Sequence, residues 1–151
     1  MAHLATGILA ITGLARQRPP RFAGSLLLAS VAIDVDHIPS YMGIKWVDRG
    51  TPRPYPHSLL TLLAVAMLGT LWRGQRLAIL GAFVGIALHF WRDLSGPGGG
   101  VPGGGVALLW PLTKRSFSVA YAWYAFTMVI LVILTVRRMK RVGERHPPLR
   151  G

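Results

Sequence analysis

The stretch from Phe117 to Val136, FSVAYAWYAFTMVILVILTV, decides the fold class of this chain of 151 residues. It runs for 20 residues without a charged side chain, the length that an α-helix needs to cross a hydrocarbon layer of about 30 Å. Four further runs contain no Lys or Arg, and they span residues 4–15, 22–38, 57–72 and 77–91. Only helices and closed barrels satisfy the backbone in lipid, and these Leu- and Ala-rich runs do not alternate like barrel strands. The sequence therefore predicts an all-α, multi-pass transmembrane bundle of four to five helices.

Composition narrows the class of protein further. Apolar residues make up 52% of the chain and charged residues 15%, well below the roughly 25% charge of soluble domains. The absence of cysteine excludes a disulfide framework and a zinc–thiolate site. The net charge of +12 is spread over short breaks between the apolar runs, whereas a nucleic-acid binder clusters its basic residues along a groove or a helix face. We therefore expect membrane lipid as a partner and no nucleic acid.

The basic residues also predict an orientation. With five helices, the 16–21 loop, the 73–76 turn and the tail from Arg137 share one side and hold eleven Lys and Arg. The N-terminus and the loops 39–56 and 92–116 share the other side and hold six. Because Lys and Arg prefer the cytoplasmic face, we expect residues 1–136 to form an integral membrane domain with the side of the tail facing the cytoplasm. Residues 137–151 are then a basic cytoplasmic tail.

Seven acidic and imidazole side chains fall at helix ends that this topology places on the extracytoplasmic face. Asp34 and His37 are three residues apart and His89 and Asp93 are four apart, so each pair shares a helix face. Two such pairs on different helices can converge on one ion, and their nitrogen and oxygen donors suit Zn²⁺, Mn²⁺ or Fe²⁺. The predicted metal ligands are His3, Asp34, Asp36, His37, His57, His89 and Asp93. We expect one or two divalent ions, zinc first, with Asp36 and Asp93 as the candidates for a catalytic base or bridging ligand.

The order of these motifs resembles that of a known family. The motifs are His3, Asp34-Val35-Asp36-His37, His57-Ser58-Leu59, the segment from His89 to Asp93, and the stretch from Gly105 to Leu109-Trp110-Pro111. The pattern is similar to that of the membrane-bound metal-dependent hydrolases, described in bacteria as LexA-binding, YdjM-like inner-membrane-associated hydrolases. The chain departs from it ahead of His57, where residues 49–58 read RGTPRPYPHS. The His of the family's His-Arg-Gly is missing there, and Pro56 stands in place of Thr.

The resemblance implies a metal-dependent hydrolase. A cation held by His and Asp lowers the pKa of bound water toward about 7 and polarises a carbonyl or phosphoryl oxygen. The expected reaction is cleavage of an ester or phosphoester of a lipid or amphiphilic substrate by a metal-activated water. The alternative is a divalent-metal or proton transporter, since Asp and His within a membrane also mark ion pathways. A non-catalytic scaffold that binds a partner through the basic tail is a third possibility.

Overall fold

The computed structural model describes residues 2–14, 19–38, 42–44, 57–95 and 105–145, without the side chains of Asp36 and of residues 143–145. Within these ranges the protein has five α-helices, which are α1 (Ala2–Leu14), α2 (Pro20–Ala32), α3 (Leu59–Leu71), α4 (Arg76–Leu94) and α5 (Tyr121–Arg145). Two 3-10 turns accompany them, Ile33–Asp36 after α2 and Arg73–Gln75 ahead of α4. The described ranges contain no strand, so the predicted all-α class is confirmed for them.

Among the described residues, two helical segments are long and apolar enough to cross a membrane, Arg73–Leu94 and Tyr121–Val142. The apolar helices α1 and α3 have 13 residues each, which is shorter than a full span. None of the residues of α3 is buried, and Leu63 and Met67 are 61% and 64% exposed. Leaving such a side chain in water costs about 1.5–3 kcal/mol relative to burying it, so this helix surface favours lipid. A bundle that crosses four or five times stays a prediction.

Helices α1 and α5 run parallel. Near their starts, the hydroxyl groups of Thr6 and Tyr124 lie 2.7 Å apart. Further along both helices, the hydroxyl groups of Thr12 and Thr135 lie 3.2 Å apart. The start of α5 therefore lies at the same end of the bundle as the start of α1.

Helices α2 and α4 are also parallel, and their backbones touch. Gly81 lies against Phe22 and Gly85 lies against Leu26. A Cβ added at either glycine would overlap a carbonyl oxygen of α2, so only glycine lets the two backbones approach this closely. Helix α3 runs in the opposite direction to α4, because Gly69 near its end lies against Ile79 near the start of α4.

The same end of the bundle collects the helix termini that carry the predicted ligands. It contains the starts of α1, α3 and α5 and the ends of α2 and α4. Beneath this end lies a core cluster of Ile33, Ile86 and Phe90. Successive helices therefore run in alternating directions, as the charge-free runs predict. The structure contains no membrane that would define the two sides of the bundle.

Helix boundaries differ from the charge-free runs in two places. The run 117–136 is not the helix itself, because α5 begins at Tyr121 and continues to Arg145. Phe117 instead forms an antiparallel bridge with Val106, with backbone N–O distances of 2.9 Å in both directions. The run 22–38 leaves the α-helix at Ala32 and continues as a 3-10 turn. Lys and Arg are good helix formers, so a helix can continue past the last residue of a charge-free run. Such a run indicates which residues can lie in lipid, and it does not give the end of the helix.

Candidate metal centre

Four side chains from separate parts of the chain meet at the end of the bundle where the starts of α1, α3 and α5 lie. Asp34 lies in the 3-10 turn after α2, and His57 lies two residues before the first residue of α3. His89 and Asp93 lie in the last two turns of α4. One ligand atom from each of the four lies within 4.8 Å of the others, so this group could hold a metal ion. We call these four residues the His/Asp cluster.

The distances within the His/Asp cluster suit one shared cation. His89 Nε2 lies 3.1 Å from Asp93 Oδ2 and 3.3 Å from Asp34 Oδ1, and it lies 3.2 Å from His57 Nε2. His57 Nε2 lies 3.5 Å from Asp93 Oδ2 and 3.7 Å from Asp34 Oδ1. Ligands at about 2.0–2.1 Å around a tetrahedral ion lie roughly 3.3–3.4 Å from one another. These five of the six donor–donor distances fall on both sides of this value, so the spacing is compatible with a four-coordinate ion.

The other nitrogen of His89 shows which atom of the ring is ready to bind an ion. His89 Nδ1 lies 2.8 Å from the carbonyl oxygen of Ser30. A carbonyl only accepts, so Nδ1 is the donor, and Nε2 of the neutral ring carries a lone pair. That lone pair faces two carboxylates and a second imidazole in a buried site, where clustered acceptors are costly unless a cation or a proton lies among them. Ligating histidines usually have this arrangement, with the second N–H donated to a carbonyl or carboxylate.

His3 lies against the His/Asp cluster without belonging to its four donors. Its ring stacks on the His89 ring with the centroids 3.8 Å apart, and its Nε2 lies 3.5 Å from Asp93 Oδ1. Its Nδ1 is buried and has no hydrogen-bond partner among the described residues. His3 therefore faces the outer oxygen of Asp93, while the inner oxygen of that carboxylate faces His57 and His89.

His37 and Asp36 complete the set of predicted ligands. His37 Nδ1 lies 3.7 Å from Asp34 Oδ1, because residues three apart eclipse one another in a 3-10 helix. The His37 ring also meets the His57 ring edge-on, with centroids 5.5 Å apart. The side chain of Asp36 lies outside the described part of the structure. Six of the seven predicted ligands are thus brought together, and metal ligation by any of them stays a prediction.

The site opens on the side of Asp34. The Asp34 side chain is 40% exposed, whereas that of Asp93 is 4% exposed. Burial would raise the pKa of Asp34, but in the absence of an ion a proton held between this carboxyl and the His57 and His89 rings outweighs burial and keeps this pKa well below its usual range. Asp34, which lies beyond the last residue of α2, is therefore ionised at neutral pH and attracts a cation at the mouth of the site.

Three contacts that hold the site in place were not predicted. The carbonyl of Ser30 orients His89, and the Phe90 ring packs against the His57 ring with centroids 5.8 Å apart. The buried hydroxyl pair of Thr6 and Tyr124 ties α5 to the helix that carries His3. Ser30 lies one helical turn before Asp34, so the spacing predicts that the two residues share a helix face. The contact of its backbone oxygen with His89 could not be predicted, because it depends on how closely α4 approaches α2.

A family model described as "YdjM inner membrane protein" matches residues 1–147. The chain belongs to the YdjM inner membrane protein family. The match covers nearly the whole chain and confirms the YdjM-like family that the motif order had indicated. Family membership and the two long apolar helices together support association with the inner membrane. Searches among curated proteins and among solved structures gave no match.

Proposed function

We propose that this YdjM family member is a membrane-embedded, metal-dependent hydrolase that cleaves an ester or phosphoester of a lipid or amphiphilic molecule. The observation that carries the proposal is the convergence of four donor atoms at the spacing of a four-coordinate ion. Two imidazole nitrogens and two carboxylate oxygens favour Zn²⁺, and Mn²⁺ or Fe²⁺ accept the same donors.

Each side chain of the site has a role in this proposal. Asp34, His57, His89 and Asp93 would hold the ion. A divalent cation bound there would lower the pKa of a water molecule and polarise a carbonyl or phosphoryl oxygen of the substrate. Asp93 or Asp36 would accept the proton from that water, and His3, next to Asp93 Oδ1, could pass the proton on. His37 orients Asp34. A second ion, flanked by His3 or His37, is also part of the proposal.

The surroundings of the open side support an amphiphilic substrate. Val35 and Ile38 lie beside Asp34 and His37 in the chain and are 59% and 54% exposed. Leu60, just after His57, is 53% exposed. These apolar side chains would contact acyl chains while an ester or phosphoester group reaches the polar donors. We place this site at the extracytoplasmic face of the inner membrane, with several membrane crossings and a cytoplasmic C-terminus.

The metal content of the detergent-purified protein tests the proposal. We expect roughly one or two equivalents of zinc per chain and a loss of metal in both His89→Ala and Asp34→Ala. Thr70→Val is the control, because Thr70 is exposed at the far end of α3. Hydrolysis of a chromogenic ester or phosphodiester should disappear in the same two variants and on addition of a chelator. Unchanged metal content in both variants would reject the site, and bound metal without any hydrolysis would reject the reaction.

Ion transport is the second candidate. The lone pair of His89 and the two carboxylates could hold a proton as well as a metal ion, and such groups mark ion pathways in membranes. Against transport, His89 and Asp93 lie in the last turns of α4, whereas carriers usually bind their substrate near the midplane. Uptake of Zn²⁺ or protons into proteoliposomes that is lost in Asp34→Ala would favour transport over hydrolysis.

A further inference from the structure

A cavity lies at the end of the bundle opposite to the His/Asp cluster. It has a volume of about 540 Å³ and lies between the end of α1 and the last turns of α5. Its apolar part is formed by Leu14 and Leu134, and its polar part by Arg137, Arg138 and Arg141. Ligand sites in proteins typically have volumes of about 300–1,000 Å³, so this cavity is large enough for a small ligand or a lipid headgroup.

The arginines of this cavity are placed by the two helices. Arg138 Nη1 donates a hydrogen bond to the carbonyl oxygen of Thr12, 3.4 Å away, which ties the guanidinium to α1. Arg137 and Arg141 are four residues apart and share a helix face. The residues that line the cavity, within the described ranges, include no carboxylate. The cavity therefore offers a positive, partly preorganised surface to an anion.

An adjoining cavity adds hydroxyl groups. It has a volume of about 350 Å³ and shares Arg138 and Val142 with the first. It is also lined by Thr12 and Thr135, whose hydroxyl oxygens lie 3.2 Å apart. Guanidinium groups, hydroxyl groups and apolar side chains thus lie next to one another where the charge-free part of α5 ends.

We propose that this pair of cavities binds the headgroup of an anionic phospholipid. Guanidinium groups pair with phosphate oxygens in bidentate fashion, and the threonine hydroxyl groups can bond polar atoms of the headgroup. The apolar side chains of Leu14 and Leu134 distinguish a lipid from a soluble anion, because only a lipid brings glycerol and acyl carbons to cover them. The position supports the same ligand, since phosphates of a bilayer lie where an apolar span meets its flanking charges.

A site of this kind differs from the general attraction of a basic segment for anionic lipid. General attraction is worth about 1 kcal/mol for each Lys or Arg near the surface and does not depend on which residue is removed. A headgroup site depends on the residues that line it. Lys140 is the matched control, because it is exposed on the same helix and lies outside both cavities.

The test uses the full-length protein in a neutral detergent, titrated with phosphatidylglycerol or with phosphatidylcholine of the same acyl chains. Binding is followed as a shift in the thermal unfolding midpoint. We expect saturable binding of phosphatidylglycerol only. Arg138→Gln and Arg141→Gln should each weaken it about tenfold or more, because a hydrogen bond to a charged group contributes about 1.5–3 kcal/mol. Lys140→Gln, which removes the same charge, should weaken it by no more than about fivefold, the share that general attraction of about 1 kcal/mol gives each basic residue.

Several outcomes would overturn the proposal. An equal loss in Lys140→Gln would show that affinity follows net charge. Equal binding of phosphatidylcholine, whose phosphate charge is balanced by its choline group, would show that the site does not select an anionic headgroup. Tighter binding of inorganic phosphate or of a single-stranded oligonucleotide would assign the arginines to another anion. Circular dichroism and gel filtration before lipid is added exclude misfolding. The exposed Arg141 keeps the test decisive if Arg138→Gln does not fold.

Discussion

At the scale of single residues, the two nitrogens of His89 have different partners. Nδ1 donates to the backbone of Ser30, and Nε2 faces the carboxylates of Asp34 and Asp93. Because a backbone carbonyl cannot be removed by substitution, the orientation of this ring is built into the packing of α4 against α2. Substitution of the imidazole itself removes the donor that contacts every other member of the His/Asp cluster.

The first prediction compares His89 with His3. We expect His89→Ala to lose stoichiometric zinc, because it removes a donor from the centre of the cluster. His3→Ala removes a side chain that contacts Asp93 from outside, so it should weaken zinc binding only about 10- to 100-fold, as is typical of groups that orient a ligand. Competition with a chromogenic chelator measures both affinities. Equal losses would instead make His3 a ligand.

The second prediction concerns Asp93 and removal of the metal. A ligand present at 100 times its Kd stabilises the folded state by about 2.7 kcal/mol, so a chelator should lower the unfolding midpoint of the wild-type protein. Asp93→Asn keeps the size of this buried side chain but removes the negative charge that attracts the cation. Its midpoint should respond much less to the chelator in differential scanning fluorimetry. A response as large as that of the wild type would contradict a role for Asp93 in metal binding.

At the scale of helices, the contact between α2 and α4 sets the geometry of the site. The backbones touch at Gly81 and Gly85, and Gly85 lies one turn before His89. The same contact brings the Ser30 carbonyl within reach of the His89 ring. The distances within the His/Asp cluster therefore depend on a glycine at position 85 of α4.

The third prediction follows from this contact. Gly85→Ala places a methyl group against the carbonyl of Leu26, so the helices must separate, and we expect a loss of about 1–3 kcal/mol, as for other overpacked positions. Zinc affinity should fall with it. Gly24→Ala is the control, because a Cβ added there meets nothing within 4 Å and helix propensity gains about 1 kcal/mol. Thermal unfolding in detergent measures both, and a Gly85→Ala protein as stable as the wild type would contradict the close contact.

At the scale of the whole molecule, the two ends of the bundle differ in chemistry. One end carries the imidazole and carboxylate groups, and the other carries the arginines at the end of α5. If the bundle spans the membrane as the basic residues predict, the proposed hydrolytic site and the proposed lipid site face opposite leaflets. The two proposals can then fail independently, because neither set of residues lines the other site.

The fourth prediction tests this arrangement with single cysteines. The chain has no native cysteine, so Ile38→Cys and Lys140→Cys each introduce a unique exposed thiol. A maleimide reagent that does not cross the membrane should label position 38 in intact cells and position 140 only after the membrane is permeabilised. Labelling of both positions from the same side would contradict the predicted orientation and the alternating passage of the helices.

Much of the fold and part of the site were predictable from the sequence. Helical class follows from the charge-free runs, and the pairs Asp34–His37 and His89–Asp93 follow from spacing along one helix. The start of α5 at Tyr121 did not follow, because Phe117 pairs with Val106 across a connecting segment that no local pattern marks. The positions of His3 and His57 relative to the other predicted ligands did not follow either, because side chains from separate parts of the chain meet only through tertiary packing.

By itself, the sequence determined which side chains lie at helix ends, how far apart they are along the chain, and that long apolar surfaces must avoid water. These are local properties, set by composition and by the helical repeat. Only the tertiary structure decided that four donor atoms lie within 4.8 Å of one another, that the Ser30 carbonyl orients His89, and that three arginines surround a cavity. Distances between helices depend on how closely two backbones approach, and here that approach rests on long-range contacts at Gly81 and Gly85. Their Gly-x-x-x-Gly spacing is typical of close helix packing in membranes, but it does not say which helix they meet.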